Sequence, residues 1–117
     1  MKPQKLKPSF LERLRAKRTL RGVMLGVAWY TPETWARICE TATDRDRLEP
    51  TYDEWVQMAE KSLRNMADAG IIPFKVMIDA DEFFAWCQSH EKQNDGGSRA
   101  QFASFKMHQA HASRTRP

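Results

Sequence analysis

Apolar residues recur at helical spacing between Thr51 and Gly70. Trp55, Ala59, Leu63 and Met66 form the stripe, and Tyr52, Met58 and Ala67 widen it. Glu60, Lys61, Arg64 and Asn65 fall on the other side, toward water. Thr51 followed by Glu54 has capping-box spacing, in which each side chain answers a free N–H of the first turn. Gly70 stands where a helix usually turns left-handed and stops. The apolar run from Ile71 follows at once and predicts a buried strand over Ile72–Ile78, with Phe74, Val76 and Ile78 sharing a face.

The same two periods order the rest of the chain. Val23, Leu25, Val27 and Trp29 alternate with Met24, Gly26 and Ala28. Both sets are apolar, which predicts a central strand covered on two sides. Thr31-Pro32 opens a helix, since Thr31 can cap and proline suits the first turn; Trp35, Ile38, Cys39 and Ala42 supply its buried stripe. Thr43 to Pro50 reads as a polar loop anchored by Leu48. Asp79-x-x-Glu82 repeats the capping logic ahead of a short helix bearing Phe83, Phe84, Trp86 and Cys87. Asn94-Asp95-Gly96-Gly97 predicts a turn, and Ser98-x-x-Gln101 caps a last helix that frays from His111. Upstream, Ser9-x-x-Glu12 could cap a basic helix to about Leu20, with Phe10, Leu11 and Leu14 on one side. That helix is too short and too weakly apolar to stand alone.

The expected fold class is α/β (or α+β), a helix-rich single domain in the order β-α-α-β-α-α. Its short two-stranded sheet could pair in parallel through a right-handed crossover. A two-stranded sheet is marginal alone, so helices or a partner chain must cover it. The expected organisation is a basic, partly disordered segment over 1–21, one domain over 22–112, and a frayed tail over 113–117.

Composition sharpens this picture in one respect. The net charge of +4 over 117 residues conceals an asymmetry. Residues 1–21 hold eight Lys/Arg against Glu12 alone, or +7, whereas residues 22–105 hold eight basic and fourteen acidic side chains, or −6. An acidic body therefore carries basic ends. Two cysteines make no disulfide framework, which fits a reducing cytoplasm. No apolar run is long enough to span a bilayer. The basic start before Val23–Trp29 is too long for a signal peptide and lacks a cleavage site, so export is not expected.

Candidate chemistry is thin. Asp79, Asp81 and Glu82 at a strand end could hold magnesium, but capping and the helix dipole account for them. His108 and His111 are one turn apart, with His90 and Cys87 potentially near, yet zinc needs about four converging ligands. Neither Cys39 nor Cys87 has the signature of a nucleophile. The glycines match neither the P-loop nor the dinucleotide fingerprint. No catalytic, cofactor-binding or metal-binding residue is therefore assigned.

Two features remain. Trp29, Trp35, Trp55 and Trp86 fall on inner faces and read first as core. Together with Tyr30 and Arg99 they could instead form an interaction face. Lys5, Lys7, Arg13, Arg15, Lys17, Arg18 and Arg21 could neutralise nucleic-acid phosphates, or form a solvated tail that docks on an acidic surface. The leading expectation is a non-catalytic protein-interaction or regulatory module, with a protein partner or self-association and no membrane. A nucleic-acid-binding accessory protein is the alternative, and a metal-dependent phosphoester enzyme at Asp79 and Asp81 is the weakest case.

Certain strings carry a resemblance to a known group. They are Ala28-Trp29-Tyr30 with Pro32 and Trp35, then Thr51-Tyr52-x-Glu54-Trp55, then Asp81-Glu82-Phe83-x-Ala85-Trp86-Cys87, followed by Asn94-Asp95-Gly96 and Arg99-Ala100-x-Phe102. Over roughly residues 23–105 the chain resembles a group of small bacterial proteins without an assigned activity. The resemblance implies a bacterial cytosolic α/β domain and lends no residue a catalytic role.

Overall fold

A computed structural model describes residues 21–115. Two strands, β1 (Met24–Trp29) and β2 (Ile72–Met77), pair in parallel, with Met24 opposite Ile72 and Trp29 opposite Met77. Between them run α1 (Pro32–Thr41), a 3-10 turn (Arg45–Arg47) and α2 (Tyr52–Asp68). After β2 come α3 (Ala80–Ser89) and α4 (Gly96–Thr115). The order is the expected β-α-α-β-α-α.

Local chemistry sets most boundaries. The Thr34, Glu54 and Glu82 N–H groups donate to Thr31 Oγ1, Thr51 Oγ1 and Asp79 Oδ1 at 3.1, 3.2 and 2.8 Å. Each of these first turns is therefore capped from one residue upstream of its helix. Gly70 takes φ +88° and ends α2, as its position predicts. The last helix departs from expectation. It begins at Gly96 rather than after a Ser98 cap, because two carboxylates serve its first turn. Ser98 N–H donates to Asp95 Oδ1 at 2.8 Å, and Gly96 N–H donates to Asp44 Oδ2 at 3.0 Å. It then runs to Thr115, past the His111 where fraying is expected.

Helices cover both faces of the sheet. Gly26 lies against α4 so closely that a Cβ there would sit 2.9 Å from the Ala103 carbonyl oxygen. The Met24, Gly26 and Ala28 face is thus the α4 face. Leu25, Val27 and Trp29 point the other way, where the Trp29 and Trp55 rings meet at 5.0 Å and α2 packs. The sheet has the expected two strands among the described residues, so β1 is not the central strand that its two apolar faces predict. Apolarity on both sides of β1 reflects helices above and below, not neighbours left and right.

The core is aromatic. Phe83, Phe102 and Ile38 are its largest fully buried side chains, and Trp29, Tyr30, Trp35 and Trp55 join them. In α2, Trp55 and Ala59 are buried and Leu63 and Met66 half-buried, but Met58 and Ala67 are exposed. The apolar stripe is narrower than predicted because α2 meets one flank of a thin sheet.

Candidate functional site

Most residues of the expected interaction face lie inside. Trp29, Tyr30, Trp35, Trp55 and Arg99 are buried and Trp86 is half-buried. Trp55 joins the first group: its ring lies 5.0 Å from Tyr30 and 5.8 Å from Tyr52. Trp86 belongs to a second group on α3 and α4, 5.4 Å from Phe102 and stacked on His90 at 4.8 Å. Of the seven basic N-terminal candidates, Lys5, Lys7, Arg13, Arg15, Lys17 and Arg18 lie outside the described residues. Arg21 is exposed and packs beside Gly70.

The groups weighed for chemistry have other work. Asp79 caps α3, Asp81 pairs with Arg37 at 2.7 Å, and Glu82 pairs with Lys106 at 2.6 Å. Burial pushes both the Cys39 and Cys87 thiols up, away from thiolate character. Among the described residues no three His, Cys, Asp or Glu side chains gather at metal-binding distance.

A buried polar latch joins segments far apart in the chain. Arg99 donates from Nη1 to Asn94 Oδ1 at 2.8 Å and from Nη2 to Asp44 Oδ2 at 2.7 Å. Asn94 in turn donates to the Ile38 carbonyl at 2.8 Å and to Thr41 Oγ1 at 3.0 Å. The start of α4 is thereby tied to the end of α1 and to the loop after it. Burial alone would push the Asp44 carboxyl up, but the Arg99 guanidinium and the Gly96 N–H outweigh it and hold it below the usual carboxylate range.

Tyr30 sits beside this latch. Burial pushes its phenol up to about 12, with Arg99 opposing and Asp44 assisting. The folded protein therefore keeps this proton where an unfolded chain, titrating near about 10, releases it. Stability should be fully present below about pH 10 and fall as pH rises through the folded value. Urea unfolding across that range should show the decline, and Tyr30→Phe should flatten it.

Two uncovered places flank the sheet. The first is a groove of about 250 Å³ between α4 and β2, lined by Met24, Phe74, Val76, Met107 and Ala110, with Lys75 and Lys106 at its sides. It arises because α4 lies over β1 and leaves the β2 side chains of that face only partly covered; Phe74 is 40% and Ile72 46% exposed. The second is a slot of about 280 Å³ at the free edge of β1. Trp55 and Met66 of α2 form one wall, Gly96, Arg99 and Ala100 of α4 the other, and Tyr30 and Leu48 close one end. Tyr30, Trp55 and Arg99 are thus brought together here.

Periodicity alone does not reveal either place. The signal that bears on the groove is the pairing register, which sets Gly26 beside Phe74 on one face. A helix admitted by glycine cannot also cover the neighbouring phenylalanine. No family model, curated protein or solved structure matches the chain. No helix among the described residues is long and apolar enough to cross a membrane.

Proposed function

We propose that this chain is a non-catalytic protein-interaction module, which meets another protein or its own copy through the groove between α4 and β2. The supporting observation is the row of large apolar side chains left in water there. Met24 and Phe74 line the groove and Ile72 pairs with Met24 in register, each at least 40% exposed. Clustered exposure of that kind on a small domain marks a contact surface rather than ordinary surface scatter. An apolar groove running beside α4 and over β2 suits an amphipathic helix laid alongside.

Light scattering over a concentration series tests the self-association half, and a rise in apparent mass that Phe74→Glu reverses is the expected result. A strict monomer at high concentration removes that half. An unaltered apparent mass in Phe74→Glu removes the groove from it.

A further inference from the structure

The groove between α4 and β2 opens where the chain enters β1. Gly22, with Met24, Met107 and His108, borders a recess of about 340 Å³. Met24 and Met107 also line the groove, so the two spaces adjoin and the chain before Gly22 leaves from the groove's end.

Gly22 carries the mark of a helix stop. It takes φ +80° two residues ahead of β1, as Gly70 takes φ +88° two residues ahead of β2. The two glycines lie side by side, with Gly22 N–H donating to the Gly70 carbonyl at 2.8 Å. A Cβ on Gly22 would meet nothing within 4 Å among the described residues. Its left-handed backbone, not close packing, therefore calls for glycine. That conformation ordinarily closes a helix, as it does for α2. Ser9 to Leu20, just before it, are the residues whose spacing predicts one.

This segment suits the groove in length, in side-chain pattern and in charge. As a helix, Phe10 to Leu20 spans about 16 Å, against about 20 Å for the six residues of β2. Phe10, Leu11 and Leu14 share one side, and the methylene stems of Lys17 and Arg18 extend it. The groove offers Phe74, Val76 and Met107 to such a side, with Ile72 exposed on the same strand. The +7 of residues 1–21 against the −6 of residues 22–105 favours return to the body. Direct attachment also holds the segment at an effective concentration on the order of millimolar, so a helix too weak to stand alone can still dock.

We infer that residues 9–20 fold back from Gly22 as a helix and fill the groove beside α4, competing there with any helix of a partner. This closure rests on the interaction-module reading and adds its regulation. The groove admits a partner only while the segment is away, and the apparent affinity falls by that fraction.

The test keeps the chain whole and isotope-labelled. Nuclear Overhauser contacts are expected from the Leu11 and Leu14 methyls to those of Met24, Val76 and Met107. Phe74→Glu should remove them and speed amide exchange over residues 10–20 by roughly tenfold or more. Met58→Glu, at an exposed position of α2 on the other face of the sheet, should leave both unchanged. Leu11→Asp/Leu14→Asp should also abolish the contacts while the Trp35 and Trp55 indole signals stay in place, which shows an intact body.

Three results overturn the closure. One is the absence of these contacts in the intact chain, which would leave the groove to a partner protein. Another is contacts that persist in Phe74→Glu or vanish in Met58→Glu. The last is contacts found only between labelled and unlabelled copies in a mixture, which would make a second copy's segment the occupant. The groove reading fails separately, because its own check is the effect of Phe74→Glu on apparent mass.

Discussion

Replacing Arg99 by alanine should lower the unfolding free energy by about 3–5 kcal/mol, the usual cost of removing one partner from a buried ion pair. The Arg99 and Asp44 side chains are 7% and 20% exposed, so water can replace the lost guanidinium only in part. Two acceptors lose a donor: Asp44 Oδ2 keeps only the Gly96 N–H, and Asn94 Oδ1 loses its partner. Arg99→Lys should recover only part of the loss, because one ammonium cannot reproduce the forked contact with both Asn94 and Asp44. The acid limb should change as well. Asp44 sits below its ordinary value in the folded state, so its contribution is present above the unfolded carboxylate range and disappears as pH falls through the folded value. Urea midpoints at neutral and acid pH measure both effects. A loss near 1 kcal/mol or less would reduce the latch to the rank of a surface bridge.

What the sequence showed and what it hid divide along the range of the interactions. Caps and stops were legible because their partners lie three or four residues apart. Thr31, Thr51, Asp79 and Gly70 all act as local spacing predicts. The alternation in β1 reported its environment above and below correctly. It was silent about the strand's neighbours, since edge and centre differ in backbone pairing and not in side-chain pattern.

The latch was hidden for a different reason. Asp44 and Arg99 are 55 residues apart, and Asn94-Asp95-Gly96-Gly97 has so complete a reading as a turn that nothing prompted a second role for Asn94. The early start of α4 follows from the same omission, because one of its two caps arrives from that distant Asp44. The tryptophans illustrate the limit of composition. Four of them promise either a core or a contact surface, and here Trp29, Trp35 and Trp55 are buried. Methionine and phenylalanine are left at the groove.

Gly26→Val separates local preference from packing most sharply, because the two predict opposite signs. Valine favours strands and glycine weakens them, so propensity alone promises a gain of up to about 1 kcal/mol. The structure predicts a loss of about 3 kcal/mol, at the upper end of the range for overpacked cores. A Cβ at this position would lie 2.9 Å from the Ala103 carbonyl oxygen and 3.1 Å from Met107 Cβ. The first obstacle is helix backbone, which cannot rotate away as a side-chain tip would. Ala103 is itself fully buried and already small, so the facing element has nothing left to trim. Relief requires α4 to lift from β1, which loosens the packing around Phe102 on the same helix. Unfolding in urea should therefore show a lower midpoint, and Gly26→Ala should fall between the wild type and valine. Unchanged or increased stability in the valine variant would mean that α4 does not rest on β1 at this distance, and both the groove and the slot would lose the wall that defines them.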